Sequence, residues 1–210
     1  MSDSRLEQAA SDTAPDPEEL ARAGLYGLIS RLFYEPADPN LLAQISHSDP
    51  TGGEQGSGDS LEAAWRGLQQ TCRTAYPAVV RQEYEGLFVG VGRAEVSPYL
   101  SGYSDSAPPD HYLVRLREQL DAFGLARREG VFEVEDHISA ACDVMRWLIE
   151  GQRSLEDQQQ FFKSFVYPGA VAFCIATQNA ATVSFYKPVA AFTLAFLEIE
   201  RAAFEMSETA

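Results

Sequence analysis

HISAACDVMRWLIEG, residues 137–151, decides the fold class. Ile138, Ala141, Cys142, Met145, Leu148 and Ile149 recur at offsets 0, 3, 4, 7, 10 and 11, the spacing of one face of an α-helix. On spacing alone, Asp136 reads as the N-cap of this helix and His137 as an ordinary first-turn residue. The same periodicity recurs upstream. Leu25, Leu28, Ile29, Leu32 and Phe33 make a stripe that starts behind Asp16-Pro17-Glu18-Glu19, a capping residue, a first-turn proline and two carboxylates suited to the positive end of the helix dipole. Asp38-Pro39 repeats that start before Leu41, Leu42 and Ile45. Leu61, Ala64, Trp65, Leu68 and Cys72 form another face. So do Leu113, Leu116, Leu120 and Phe123, with Gly124 as a C-cap.

Downstream, Ser154 and Asp157 resemble a capping box before Phe161, Phe162 and Phe165. Pro168-Gly169 is expected to break or kink that helix. Ala170 to Asn179 is short and nearly all apolar, hence a central buried helix. The last stripe is Phe185, Val189, Phe192, Phe196 and Ile199, with Pro188 in or near its first turns. No segment alternates with period two, and no Asn-Gly or Asp-Gly hairpin signal occurs. The expectation is an all-α fold: one compact domain of about eight to ten helices over residues 16–204. Residues 1–15 read as a disordered acidic tail, TGGEQGSGD within 47–60 as a mobile surface loop, and 127–135 as a charged connector.

Composition narrows the function. Sixteen basic and 31 acidic residues in a chain of 210 give a net charge of −15. That excludes a basic footprint for nucleic acid and disfavours anionic membranes, while suiting a cationic partner. No apolar run approaches the roughly 20 residues of a membrane span, and the N-terminus lacks an export signal. Cys72, Cys142 and Cys174 are scattered among apolar helical positions, with no Cys-x-x-Cys or Cys/His cluster, so no metal or disulfide framework is expected. They suit a reducing cytoplasm. With only His47, His111 and His137 in the chain, an Asp136–His137 metal-dependent hydrolase is the runner-up reading from another class. Gly-x-Ser-x-Gly and phosphate-loop motifs are absent.

The remaining signal is Arg81 to Tyr103, RQEYEGLFVGVGRAEVSPYLSGY. It begins helical, with Tyr84, Leu87 and Phe88 on one face. Gly90, Gly92, Pro98 and Gly102 then end the helix, leaving an aromatic, hydroxyl-bearing loop. Taken alone, the loop reads either as a buried connection or as the wall of a groove.

Together these residues resemble a family. Glu83-Tyr84-x-x-Leu87-Phe88-x-Gly90-x-Gly92, then Pro98-Tyr99-x-Ser101-x-Tyr103, then Glu133-x-x-Asp136-His137-Ile138, preceded by Leu25-Tyr26-x-x-Ile29-x-Arg31-Leu32-Phe33-Tyr34-x-Pro36, is similar to the TorD/DmsD/NarJ redox-enzyme maturation chaperones. The resemblance runs over residues 18–203. It departs from the family at Val134, where proline is usual, and at Leu100, where an acidic or small residue often precedes the serine. It implies an all-helical fold, no catalysis and a cytoplasmic place. The implied partner is the apo catalytic subunit of a molybdenum-cofactor oxidoreductase, often through its twin-arginine signal peptide. A NarJ-type chaperone for a non-exported nitrate reductase is the alternative within the family. The resemblance also implies a monomer or swapped dimer and no resident cofactor, some members having been proposed to bind GTP weakly. The expected partner-binding residues are Tyr84, Leu87, Phe88, Pro98, Tyr99, Ser101, Tyr103, Glu133, Asp136 and His137, on two walls of one groove. Glu83, Glu95, Asp105 and Glu135 stand near as further carboxylates for a partner's arginines.

Overall fold

The computed structural model describes residues 16–48, 59–90, 94–104, 109–125 and 135–207. The tail at 1–15, most of the Gly/Ser-rich segment, most of the 127–135 connector, and the site candidates Gly92, Asp105 and Glu133 lie outside them.

Among the described residues the chain is all helical and has no strand. The α-helices are α1 (Pro17–Tyr34), α2 (Pro39–His47), α3 (Asp59–Thr74), α4 (Pro77–Tyr84), α5 (Pro109–Ala122), α6 (Ile138–Glu150), α7 (Leu155–Phe161), α8 (Tyr167–Asn179) and α9 (Tyr186–Ser207). Two π-turns, Glu85–Val89 and Phe162–Val166, and one 3-10 turn, Leu100–Tyr103, complete the helical elements.

The capping reading holds at the starts. Asp16 accepts from the Glu18 N–H, Asp38 from those of Asn40 and Leu41, and Ser154 from that of Asp157. Gly124 ends α5 at φ 74°, the left-handed region that suits glycine.

Helix α6 buries the six stripe residues that define it, and it runs along α1. On α1 the buried face is rotated from expectation. Ala23, Tyr26, Ile29, Leu32 and Phe33 are buried, and Leu25 and Leu28 only partly so. Tyr26 turns inward because its hydroxyl has a partner there: it donates to Glu200 Oε2 at 2.9 Å, while its ring meets Phe196 edge-on. Glu200 is buried on α9 where Ile199, its neighbour, was expected. Arg22 explains this. Its Nε and Nη2 each donate at 2.8 Å to the two oxygens of Glu200, and its Nη1 reaches Glu19. A buried carboxylate in a bidentate guanidinium pair is a compensated charge. On α5, similarly, Tyr112 is buried because its hydroxyl donates to the Phe165 carbonyl.

Pro168 does not break the chain. The π-turn Phe162–Val166 joins α7 to α8 with helical dihedrals at Phe162 and Tyr167, and Pro168 falls in the first turn of α8. A proline there removes an N–H that has no intrahelical partner, and the widened register absorbs its ring.

An aromatic cluster closes the centre. Phe33 of α1 meets Phe173 of α8 and Phe88 of the first π-turn edge-on, and Tyr186 of α9 meets Phe88 at 90°.

Burial also sets a pH limit. It pushes the Cys72 thiol from 9.0 up to about 12, and raises the thiols of Cys142 and Cys174 and the phenols of Tyr26, Tyr112 and Tyr186. Each of these groups holds its proton more tightly folded than unfolded. The folded state therefore binds more protons once pH exceeds the unfolded values, and stability falls as pH rises. Their contribution is whole below about pH 9 and is lost toward the folded values. Circular-dichroism melts should give a melting temperature that drops between about pH 8 and pH 11. A constant value across that range would contradict the burial of these groups.

Candidate functional site

Two distant segments meet backbone to backbone. The Ile138 N–H donates to the Pro98 carbonyl at 3.0 Å, and the Leu100 N–H donates to the Asp136 carbonyl at 2.9 Å. Tyr99 and His137 thus form an isolated antiparallel bridge, with their rings 5.5 Å apart and nearly perpendicular. Asp136 adds a side-chain contact, its Oδ2 accepting from the Ser101 N–H at 3.3 Å.

The N-cap of α6 is His137, not Asp136. Its Nδ1 accepts from the Ser139 N–H at 3.2 Å and lies 2.6 Å from the Ser139 hydroxyl. A nitrogen that accepts an N–H carries no proton of its own, so this geometry requires the imidazole to be unprotonated at Nδ1. Asp136 is free to turn the other way because the cap is already filled.

The loop also rests on α8. A Cβ built on Gly169 would lie 2.8 Å from Leu100 Cβ and 3.0 Å from the Leu100 carbonyl oxygen. Only glycine allows that approach. Tyr103 packs its ring toward Phe173 and donates its hydroxyl to the Ser97 carbonyl at 2.9 Å, and partial burial raises its phenol pKa. The Val96 N–H donates to the Leu87 carbonyl, tying the loop back to the π-turn.

This geometry divides the expected site residues. Tyr84, Leu87, Phe88, Pro98, Asp136 and His137 are buried and support the surface from beneath. The Tyr84 hydroxyl donates to the carbonyls of Phe33 and Tyr34, closing the C-terminal end of α1. In this structure these side chains face the core, whereas the sequence expectation has them lining a groove. Tyr99, 38% exposed, is presented to solvent, with Ser101 and Tyr103 half-buried beside it. No continuous groove is needed to describe this surface: it is a short aromatic ledge clamped between α6 and α8.

The acidic candidates divide too. Glu83, on α4, accepts the N–H groups of Ser184, Phe185 and Tyr186, each at 2.9 Å, and so caps α9 from outside that helix. Glu95 accepts from the Ala181 N–H and the Thr182 hydroxyl. Glu135 pairs with Arg117 at 3.3 Å. The cap contributed by Glu83 carries no local sequence signal, since a hundred residues separate donor and acceptor along the chain.

Among the described residues no group of three His, Cys, Asp or Glu side chains could hold a metal ion, and Nδ1 of His137 is occupied by its cap. The three cysteines are buried with raised pKa values, the opposite of an activated nucleophile. No helix among the described residues is long and apolar enough to cross a membrane.

Comparison with known proteins agrees with this architecture. An uncharacterized protein of Haemophilus influenzae is 30% identical over 115 residues, which span 55% of this chain and 56% of that protein, so the match covers little more than half of the relative. A solved structure from Archaeoglobus fulgidus, assigned as a redox enzyme maturation protein, has the same fold: it superposes with a TM-score of 0.55 at 20% identity, covering 84% of this chain and 93% of its own. The model of the nitrate reductase delta subunit family matches residues 54–174, which hold α3 to α7, the aromatic ledge and its supports, and the first part of α8. That match takes in more than half of the chain, and the motifs that carry the resemblance to the NarJ and TorD chaperones at Glu83, Pro98 and Asp136 fall inside it: the chain belongs to the nitrate reductase delta subunit family.

Proposed function

We propose that this protein is a cytoplasmic chaperone, not an enzyme, that binds the apo catalytic subunit of a molybdenum-cofactor oxidoreductase through the ledge around Tyr99, Ser101 and Tyr103. The observation that carries this reading is the bridge between Tyr99 and His137. It holds an aromatic side chain at the surface on a backbone fixed from both sides. A pre-ordered aromatic anchor binds with little further loss of conformational entropy, as interface hot spots do.

The favoured ligand is the twin-arginine leader of that subunit, held until the cofactor is inserted. Such a leader places cations beside an apolar run, which matches an aromatic ledge on a chain of net charge −15. The family model favours a second reading, a client of the nitrate reductase type that has no export leader and is bound through another segment of the subunit.

Leader binding is measured by titration calorimetry. Tyr99→Ala should weaken it roughly tenfold, the cost of losing one aromatic anchor. Added salt should slow association more than it speeds release. A Tyr99→Ala variant that binds the leader as tightly as the parent protein would sink the ledge assignment. Capture of the catalytic subunit stripped of its leader would select the nitrate-reductase-type client.

A further inference from the structure

A partner's guanidinium needs a carboxylate that is exposed, oriented and still has acceptor sites to spare. The carboxylates around the ledge differ in all three respects. Asp136 is 2% exposed and turned toward Ser101. Glu83 spends three acceptor positions on the N-terminus of α9. Glu135 already faces Arg117. Glu85 is exposed on the first π-turn, but no hydrogen bond from a described residue holds its side chain.

Glu95 is different. It is exposed, and each of its oxygens is held by one bond: Oε1 accepts the Ala181 N–H at 2.6 Å and Oε2 accepts the Thr182 hydroxyl at 2.9 Å. A carboxylate oxygen has two lone-pair directions, so one on each remains. No Arg or Lys pairs with Glu95 among the described residues. The backbone on its ledge side is fixed as well, by Val96 bonding Leu87 and by Tyr103 bonding Ser97. Tyr99 follows four residues later.

Resting on the function proposed above, we propose that Glu95 is the specificity-determining carboxylate of the ledge, taking one arginine of the bound leader, with Ala181 and Thr182 as its positioning groups. A planar guanidinium donates two parallel N–H groups and can engage both fixed oxygens. An ammonium acts as a point charge and gains less from their orientation. The site therefore prefers arginine to lysine, and the preference depends on Thr182 as well as on Glu95.

The probe is a soluble carrier protein fused behind a leader with two adjacent arginines and an apolar run, compared with its twin-lysine counterpart. By fluorescence anisotropy the parent chain should bind the arginine form about fivefold more tightly, the range of a well-oriented, partly exposed pair. Glu95→Gln should bring that ratio to about one, and Thr182→Val to an intermediate value, with unchanged melting temperatures. Glu118→Gln on α5, also an exposed glutamate, should leave the ratio as in the parent.

Retention of the full arginine preference in Glu95→Gln would overturn the assignment. So would equal binding of the two leaders by the parent chain, and that result would leave the ledge as a binding surface intact. If the parent bound neither leader, the leader-binding reading itself would fall and Glu95 with it.

Discussion

Glu200→Ala is expected to lower the melting temperature by roughly 10 °C or more, the largest loss from any single polar substitution in this chain. The Glu200 side chain is 3% exposed and receives three donors, Arg22 Nε, Arg22 Nη2 and the Tyr26 hydroxyl. Alanine removes the acceptor and leaves the donors. Arg22 is 21% exposed, so its charge can only partly return to water, and the Tyr26 hydroxyl is buried outright. Breaking one side of a buried pair costs about 3–5 kcal/mol. A change of 1 kcal/mol moves the midpoint of a protein this size by about 2–4 °C. Glu200→Gln keeps the side-chain volume and one acceptor oxygen, while its NH2 meets a donor, so it should lose less than alanine but not match the parent. Differential scanning calorimetry on the two variants separates the charge from the contact. Equal melting temperatures for Glu200→Ala and the parent would mean the pair is solvated in solution.

The second large effect is expected at Gly169. Gly169→Val should destabilise by about 3 kcal/mol, the upper end of what overpacking a tight contact costs. It should also release the ledge. The first carbon of any side chain would overlap Leu100, both at Cβ and at the carbonyl oxygen, so the neighbour that must move is largely backbone. Moving Leu100 pulls its N–H from Asp136 and dissolves the bridge at Tyr99. Hydrogen exchange should report this directly: the amides of Leu100 and Ile138 should lose protection in the variant well before those within α6. Uniform loss across α6 and the ledge would show that the bridge does not open as a separate unit.

These predictions fall on residues of unequal legibility. Ile138 to Ile149 could be read from spacing because a helix repeats its environment every 3.6 residues, and α6 buries that one stripe against α1. The same logic misassigned α1, where Tyr26 has an apolar ring and a polar tip. Periodicity counts the ring, but whether the tip can be buried depends on Glu200, which lies 174 residues away. At Pro168 the sequence predicts a break or kink because proline is costly inside a helix. The π-turn that precedes it makes its position a helix start, and nothing local announces that register change.

The site shows the same division. The motifs at Tyr84, Pro98 and Asp136 carry a resemblance that agrees with the family match, and the structure brings the segments of Pro98 and Asp136 together. They did not reveal which side chains face outward. Tyr84 and His137 are buried because their polar atoms find partners inside the protein, and Phe88 because its ring packs edge-on against Phe33 and Tyr186. Glu83 and Glu95 are four and eight residues from Leu87, yet their oxygens are held by the connection between α8 and α9 and the first residue of α9.

From the sequence alone came the helical class, the caps of α1, α2 and α7, the acidic character and the family. These depend on neighbours within one or two turns, or on composition, and both are written along the chain. Tertiary structure alone decided that the aromatic loop is clamped rather than open, that His137 rather than Asp136 caps α6, and that Glu95 is the oriented carboxylate left at the surface. The clamp and the carboxylate turn on which donor meets which acceptor between segments some 35 to 86 residues apart, and the local cap by His137 goes with Asp136 being engaged by Ser101 across 35 residues. That pairing is set by packing, which periodicity does not encode.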